Sequence, residues 1–284
     1  MKNTPSDYFW LNLSLLFIGT SGALGKWIDL SPELTIFWRS ILAIPFLILF
    51  LWATKQSIKI SFQWNTSIVL AGILMGTHWV TYFYSLQWSN VAVGMLSLFT
   101  FPVITAFLEP LFFKTKFNKK HIFLGGLTLL GIYFLVPSFE LAKTNGPAIA
   151  LGVFSALCYA VRNILLKKAS ASNNGSQQML AQVVIIAFCF SPFLSENAIA
   201  ISLPFWTALL FLALFTTVIG HSLFLYSLSR FSVTSASIIA SVQPLYGILI
   251  AYIFLHEIPH WGVYVGGTLI VGAVLVESLS GEKD

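Results

Sequence analysis

Ten apolar segments constrain the fold of this chain more than any other feature of its sequence. They lie near residues 8–26, 34–53, 66–86, 91–113, 120–138, 147–166, 178–194, 204–226, 233–255 and 261–277. Most are close to the ~20 residues that a hydrocarbon core of ~30 Å requires. Because lipid offers no partner to an unpaired backbone amide, every segment is predicted to be a helix. The sequence therefore predicts an all-α polytopic membrane protein with ten transmembrane helices.

The composition is not that of an ordinary soluble domain. The 284 residues are 57% hydrophobic and only 9% charged, whereas soluble domains carry about 25% charged residues. The connections between the apolar segments are short and leave no room for a domain outside the membrane. We expect a multi-pass protein of the inner (plasma) membrane, surrounded by the lipid bilayer and without a cofactor.

The basic residues predict the orientation of the spans. They follow the even-numbered spans, as Lys55, Lys59, Lys114, Lys116, Lys119, Lys120, Lys167, Lys168 and Arg230. The other loops hold only two lysines against five acids, namely Lys26, Lys143, Asp29, Glu33, Glu140, Glu196 and Glu257. By the positive-inside rule, both termini and the basic loops are predicted to be cytoplasmic. Topology thus explains the net charge of +5, and no nucleic acid partner is expected.

The two cysteines and the first span each allow a second interpretation. Cys158 and Cys189 fall inside spans and are interpreted as small apolar fillers rather than as a disulfide or a metal site. The first span, with Lys2 ahead of it, is similar to a secretory signal. The internal repeat described next disfavours that interpretation.

The sequence contains one internal repeat. The two halves align when the sequence is shifted so that Tyr84 falls on Tyr226. That shift superposes Tyr84-Ser85-Leu86 on Tyr226-Ser227-Leu228, Val91 on Val233, Pro102 on Pro244, and Lys26 on Lys168. The predicted repeats are residues 1–142 and 143–284, with five spans each. Because five is an odd number, the second copy must be inverted in the membrane. Secondary transporters recurrently use this arrangement.

Two prolines occupy equivalent positions in the fourth and ninth spans. Pro102 and Pro244 are each the twelfth residue of their span, so both are predicted to lie near the bilayer midplane. Each lacks an amide hydrogen and frees the carbonyl four residues earlier, at Leu98 and Ala240. A freed carbonyl at this depth must face protein or a water-filled cavity. The prolines therefore predict either a central cavity or helix kinks that shape packing.

Short motifs accompany these prolines in a fixed order. They are Phe101-Pro102-Val103, Gln243-Pro244-Leu245, Phe254-Leu255-His256-Glu257, Gly125-Gly126 and Gly266-Gly267. In this order they resemble the EamA-like branch of the drug/metabolite transporter superfamily. The resemblance implies transport of a small metabolite, often export of an amino acid or related compound, through a central cavity between the repeats. The chain departs from the family at Thr115, where many members carry an acid that matches Glu257.

Polar and aromatic residues inside the spans are the candidates for the solute site, since charges at this depth are costly. Arg39 either snorkels outward or clamps a carboxylate through its planar fork, whereas Arg162 is predicted to snorkel. The aromatic residues near the two histidines belong to the core or line a pocket for a flat solute. The predicted substrate-binding residues are Arg39, His78, Trp79, Tyr82, Leu98, Thr100, Pro102, Ala240, Gln243, Pro244 and Tyr246.

Two further residues are candidates for proton coupling or gating. Glu109 lies in the last turns of its span, where burial and the negative end of the helix dipole both favour a protonated acid. The alternative is that Glu109 pairs with the lysines just beyond its helix. His221 and its near counterpart His78 either gate or carry protons, or serve as ordinary hydrogen-bond donors between helices.

Two other functions compete with transport. A passive channel or facilitator would share the cavity but hold one path open. An intramembrane serine protease would use Ser21 in Gly19-Thr20-Ser21-Gly22 as its nucleophile, which needs a base within hydrogen-bond reach. A protease has no use for an inverted duplication, so the chain is expected not to be an enzyme. Association into a homodimer is left open.

Overall fold

The computed structural model describes residues 3–56, 66–89, 91–135, 146–169, 175–194, 201–255 and 260–280. Within these ranges the regular structure is helical throughout. The all-α polytopic class is therefore confirmed. Several residues of the sequence predictions lie outside the described ranges, namely Lys2, Lys59, Glu140, Lys143, Glu196, His256 and Glu257.

Seven helices form the first half of the chain. They are α1 (Pro5–Gly19), α2 (Ser21–Trp27), α3 (Pro32–Ala53), α4 (Thr66–Trp88), α5 (Val91–Leu98), α6 (Phe101–Phe113) and α7 (Lys119–Leu135). The first span thus consists of α1 and α2, and the fourth consists of α5 and α6.

The second half contains seven α-helices, a short 3₁₀ turn and a π-helical segment. They are α8 (Gly146–Ala169), α9 (Gly175–Phe190), the turn Ser191–Phe193, α10 (Leu203–Phe211), the π-helix Leu212–His221, α11 (Ser222–Leu228), α12 (Val233–Ala240), α13 (Gln243–Leu255) and α14 (Trp261–Ser280). A π-helix this long is rare, and such segments often mark functional sites.

The lengths of the helices support most of the predicted crossings. In the described residues, eight helical segments of at least 18 residues are apolar enough to cross a membrane. The ninth predicted span contains the shorter apolar segment Val233–Leu249, and the fifth contains the 17-residue α7. That all ten segments cross the bilayer stays a prediction.

Local sequence signals start three of these helices. Thr4 and Asp7 form a reciprocal capping box before α1, in which Asp7 Oδ2 accepts from the Thr4 amide at 2.8 Å. The Ser31 hydroxyl accepts from the Leu34 amide at the start of α3, and Ser232 caps α12. Serine, threonine and aspartate are favoured here because they satisfy amides that the helix leaves unpaired.

Contacts at one end of the bundle bring the two ends of the described chain together. The Tyr8 hydroxyl donates to the carbonyl of Ser278 at 3.0 Å. Arg230 Nε lies 3.8 Å from Asp7 Oδ1, so the connection between α11 and α12 reaches the same end. At the opposite end of the first span, Gln87 donates to the Leu30 carbonyl at 3.0 Å. The first of these ends is the one that the positive-inside rule predicts to be cytoplasmic.

Both predicted proline spans are broken just before the proline. Helix α5 ends at Leu98 and α6 begins at Phe101, one residue before Pro102. Helix α12 ends at Ala240, and α13 begins one residue before Pro244. The missing amide of proline explains why the two breaks occupy equivalent places.

Two lysines make equivalent contacts in the two halves. Lys26 Nζ donates to the carbonyls of Leu86, Gln87 and Ser89 at the end of α4, over 2.9–3.1 Å. Lys167 Nζ donates to the carbonyls of Leu228 at 2.6 Å and Phe231 at 2.9 Å, at the end of α11. The repeat register aligns Lys26 with Lys168, whereas the lysine that makes the equivalent contact is Lys167, one residue earlier. Cations are favoured at helix C-termini, which explains both contacts.

Candidate functional site

A cavity lies between the two halves of the chain, and we call it the central cavity. Its empty volume is about 530 Å³, part of which is open to solvent, and it has room for only a few water molecules. The bundle must therefore open before a larger molecule can occupy the cavity. The cavity is lined by Ile18, Gly19, Ser21, Gly22, His78, Trp79, Tyr82, Met95, Leu98, Phe99, Phe101, Tyr159, His221 and Gln243.

The structure brings six of the thirteen predicted site residues together in this lining. They come from the third, fourth, eighth and ninth spans, and are His78, Trp79, Tyr82, Leu98, His221 and Gln243. The break between α5 and α6 places Leu98 and Phe99 against the cavity, and the start of α13 places Gln243 there. The helix breaks therefore shape the wall on two sides.

The other seven predicted residues do not line the cavity. The Thr100 hydroxyl donates to the Ser97 carbonyl at 2.7 Å and borders a separate apolar groove between the fourth, fifth and sixth spans. The Tyr246 hydroxyl donates to Asn12 Oδ1 at 2.6 Å, which ties α13 to α1. Three residues are buried within the packed helices, namely Pro102, Ala240 and Pro244.

Arg39 is fully buried behind the cavity wall. Its Nε donates to the Thr217 hydroxyl at 2.7 Å, and its Nη2 donates to the Thr216 hydroxyl at 2.8 Å. The guanidinium carbon lies 3.8 Å from the centre of the Trp79 ring, in a cation–π contact. The side chain therefore does not snorkel outward in this structure. Among the described residues, the groups that contact its guanidinium are neutral hydroxyls and one aromatic ring.

Ser21 connects Arg39 to the cavity. Its hydroxyl lies 3.5 Å from Arg39 Nη1 and forms part of the cavity wall. Sequence reasoning singled out this serine only as a protease nucleophile. Among the described residues its polar partner is a guanidinium, which has no acceptor and cannot act as a base.

His78 lines the cavity with a defined proton arrangement. Ser155 Oγ donates to the His78 carbonyl at 2.8 Å, and the same oxygen lies 2.7 Å from His78 Nδ1. A hydroxyl carries one proton, so Ser155 must accept at its second contact. His78 Nδ1 is therefore the donor, and Nε2 is left for the cavity side.

Stacked rings form one wall of the cavity. The His78 ring lies 4.6 Å from the Tyr159 ring, at an interplanar angle of 23°. On the other side Tyr159 stacks on Phe224 at 6.0 Å, and Phe101 meets it edge-on at 5.2 Å. Sequence reasoning missed Tyr159, although it is the only tyrosine of α8 and lies three residues before Arg162. Such a wall suits a flat or partly apolar solute.

His221 closes the π-helix and lines the cavity beside Trp79. Its ring centre lies 5.4 Å from that of Trp79, whose ring also contacts the guanidinium of Arg39. Its Nδ1 is buried and has no hydrogen-bond partner among the described residues. A buried, unpaired polar atom is costly, and here it belongs to a cavity wall.

The prediction that Arg162 snorkels toward the membrane surface is wrong. The side chain is fully buried, because Gln182 Oε1 accepts from Nε at 2.7 Å and Asn163 Oδ1 accepts from Nη1 at 2.7 Å. Arg162 also lies 5.9 Å from the ring of Tyr159, behind the cavity wall. Sequence reasoning missed the two amide partners, because Gln182 lies twenty residues away on another helix.

Glu109 has partners that sequence reasoning did not anticipate. Its two carboxylate oxygens accept from the backbone amides of Val233 at 2.8 Å and Thr234 at 2.7 Å. These are the first two amides of α12, where the positive end of the helix dipole stabilises a negative charge. The predicted pairing with lysines beyond its helix does not occur among the described residues. Proton coupling through Glu109 stays a prediction.

A second acid, Glu277, was overlooked in the last span. It is buried and lies 2.9 Å from Lys120 Nζ and 3.2 Å from His121 Nε2, which ties α14 to the start of α7. The Ser235 hydroxyl also donates to it. Within the described residues, no three His, Cys, Asp or Glu side chains are grouped as a metal site would require.

The sequence matches one family of membrane proteins in both of its halves. The sequence pattern of the EamA-like transporter family fits residues 6–136 and, a second time, residues 146–279. The chain is 22% identical over 291 residues to the uncharacterized transporter YyaM of Bacillus subtilis (strain 168), with 94% of each chain covered. It is 25% identical over 199 residues to the uncharacterized transporter YdfC of the same organism, covering 68% of this chain and 65% of YdfC.

A solved crystal structure of another protein shares the fold. It superposes with a TM-score of 0.77 over 97% of this chain and 98% of that chain, at 16% sequence identity. At this identity the likeness supports the helical architecture alone.

Proposed function

The chain belongs to the EamA-like transporter family, and we propose that it carries a small metabolite across the plasma membrane by alternating access through the central cavity. The observation that carries this proposal is the cavity itself. Its wall takes residues from both halves of the chain, and it has room for only a few water molecules. Alternating access requires a site between the two halves, because their relative movement can then expose it to one side at a time.

The matched features of the two halves support an inverted-repeat mechanism. Both halves carry a helix break at a proline, at Pro102 and Pro244, and both carry a lysine that caps the third helical span of its half. Two inverted copies of one unit can exchange shapes, which gives two conformations of similar energy. We propose that the repeats are residues 1–142 and 143–284, with both termini cytoplasmic.

We propose that the solute is an amino acid or a related compound and that net transport is export. The aromatic wall of the cavity and its few polar groups support a solute of that kind. The proposed direction of net transport rests on the resemblance to the family. The net charge of +5 is no evidence for either direction. Association into a homodimer stays a prediction.

The two competing functions find less support. A passive channel needs a continuous path, whereas the central cavity has room for only a few water molecules. A protease needs a base beside Ser21, and the polar neighbour of Ser21 in the described structure is Arg39.

Counterflow in proteoliposomes tests the proposal. Liposomes loaded with one unlabelled amino acid, purine or sugar at a time should accumulate the same labelled solute transiently, for at least one member of the panel. A channel would equilibrate the label without accumulation, and an inactive protein would do neither.

A cavity-filling variant connects that flux to the central cavity. A side chain at Gly22 would meet the Tyr82 hydroxyl, since even a Cβ atom there lies 2.8 Å from it. Gly22→Leu should therefore abolish counterflow. Gly272→Leu is the matched control, because a Cβ at Gly272 has no neighbour within 4 Å. Equal flux in the two variants would show that the solute takes another path.

A further inference from the structure

The guanidinium of Arg39 is satisfied on one edge and open on the other. Two threonine hydroxyls hold Nε and Nη2 at 2.7 Å and 2.8 Å, whereas Nη1 has only the long 3.5 Å contact to Ser21. A guanidinium has five N–H donors in a fixed fork. The edge with spare donors is therefore the one that faces Ser21 and the cavity.

The three hydroxyls around Arg39 differ in whether they donate a hydrogen bond to another group of the protein. Thr216 and Thr217 each donate to the Leu212 carbonyl, at 2.6 Å and 2.9 Å, so accepting from Arg39 completes their bonding. Ser21 accepts from Arg39 but donates to no group among the described residues. Its proton is thus available to the cavity, and its position beside a cation makes it a stronger donor.

The surroundings of this edge hold no compensating acid. The fourteen residues that line the cavity include no aspartate and no glutamate. The described acids near helix ends have partners elsewhere, as Glu33 with Tyr84, Glu109 with α12, and Glu277 with Lys120. A second guanidinium, Arg162, lies behind Tyr159 with neutral partners. Two buried positive charges therefore lie behind the cavity wall, and no acid among the described residues pairs with either of them.

A further unsatisfied polar atom lies in the same wall. His221 Nδ1 is buried without a partner among the described residues. Its ring and the Arg39 guanidinium both contact Trp79, at 5.4 Å and 3.8 Å. An unpartnered nitrogen at this depth marks a place where a ligand atom would complete the bonding.

From this geometry we infer that the central cavity binds its solute through a carboxylate, which accepts from the Ser21 hydroxyl and from Arg39 Nη1. The inference rests on the proposed function and narrows its solute class. An ammonium group on the same solute would meet two guanidiniums and no acid. Within the amino acids and their relatives, the cavity therefore selects the acid that lacks the α-amino group over the zwitterion. Ser21 is a binding residue in this account rather than a nucleophile.

Matched ligand trios test the inference on the purified full chain in nanodiscs. Each trio consists of a carboxylate, its amide and the corresponding amino acid: propionate, propionamide and alanine; 4-methylpentanoate, 4-methylpentanamide and leucine; 3-phenylpropionate, 3-phenylpropionamide and phenylalanine. The readout is the ligand concentration that gives half of the maximal rise in melting temperature. In at least one trio the carboxylate should act at a concentration ten-fold or more below that of the other two.

Variants connect that preference to Ser21 and Arg39. Ser21→Ala should raise the required carboxylate concentration about ten-fold. Ser21→Thr keeps a hydroxyl, so the concentration it requires should stay close to that of the unsubstituted protein. Ser14→Ala is the control, since Ser14 is a buried serine of the same span that bonds to the Leu11 carbonyl away from the cavity. Arg39→Gln should abolish the preference for carboxylate over amide. If Arg39→Gln does not fold, the comparison of Ser21→Ala with Ser21→Thr still tests the inference.

Three results would overturn the inference: no trio stabilises the protein, the amide or the amino acid acts at the same or a lower concentration than the carboxylate, or Ser21→Ala behaves as Ser14→Ala does. If amino acids still show counterflow in any of these cases, transport stands and only the carboxylate site fails. If no solute shows counterflow, the proposed function itself fails.

Discussion

At the level of single residues, the two arginines that are isolated charges in the sequence have neutral partners in the structure. Arg39 and Arg162 are costly at roughly 2.5–3.5 kcal/mol each on lenient scales, yet both donate to neutral side-chain oxygens within the bundle. The sequence indicated for Glu109 only its own helix, where a charge is unfavourable, and the lysines just beyond that helix. Its partners are amides 124 and 125 positions away, and such contacts leave no trace in local sequence.

Glu109 provides the first residue-level prediction. Glu109→Gln removes the charge and one of two acceptors from the start of α12, so the free energy of unfolding should fall by about 1–2 kcal/mol. The measurement is the melting temperature in nanodiscs, with Asp29→Asn, an exposed acid at the other end of the bundle, as control.

The same variant decides whether Glu109 couples transport to protons. If it only caps α12, Glu109→Gln should keep the pH dependence of solute uptake while losing stability. Undiminished stability together with loss of uptake driven by a pH gradient would instead identify Glu109 as the proton site.

At the scale of helices, what could be predicted from sequence depends on how local the cause is. The breaks before Pro102 and Pro244 were predictable, because proline removes its own amide wherever it lies. The pairing of Lys26 with the end of α4 was not, because it depends on how two helices meet. The same holds for the π-helix Leu212–His221 and for the Arg162–Gln182 bond. Of the six predicted site residues that line the cavity, Leu98 and Gln243 follow from the prolines, because they lie at the two helix breaks. The other four were predicted as polar or aromatic residues inside the third and eighth spans.

The two breaks should matter for movement. Pro102→Ala and Pro244→Ala restore an amide and allow a continuous helix, so each should reduce counterflow several-fold without loss of folded protein. Pro45→Ala is the matched control, since Pro45 lies inside the unbroken α3, away from the cavity. Undiminished flux in both variants, or an equal loss in Pro45→Ala, would refute a role for the breaks.

The two lysine caps should matter for stability. Lys26→Met and Lys167→Met each remove charge-assisted hydrogen bonds to helix-end carbonyls, and each should lower the free energy of unfolding by about 1.5–3 kcal/mol. Lys168→Met should have little effect, because the helix-end carbonyls accept from Lys167 and no such contact is described for Lys168. A larger loss in Lys168→Met than in Lys167→Met would show that the sequence register, and not the observed contact, identifies the cap.

At the level of the whole molecule, transport requires that the two ends of the bundle face different compartments. The end that gathers Asp7, Arg230 and Ser278 also carries Lys114, Lys116, Lys120 and Lys167. In a background free of Cys158 and Cys189, Asp29→Cys should react with an impermeant thiol reagent added outside cells. Asn118→Cys should react only after permeabilisation. Reversed labelling would overturn the orientation.

The central claim is that the cavity opens to one side at a time, and a cysteine in its wall tests that claim most directly. Met95→Cys in the cysteine-free background should be labelled from either face of oriented vesicles. Saturating solute on one side should slow labelling from one face and speed it from the other. Labelling from a single face, or equal protection at both faces, would contradict alternating access through this cavity.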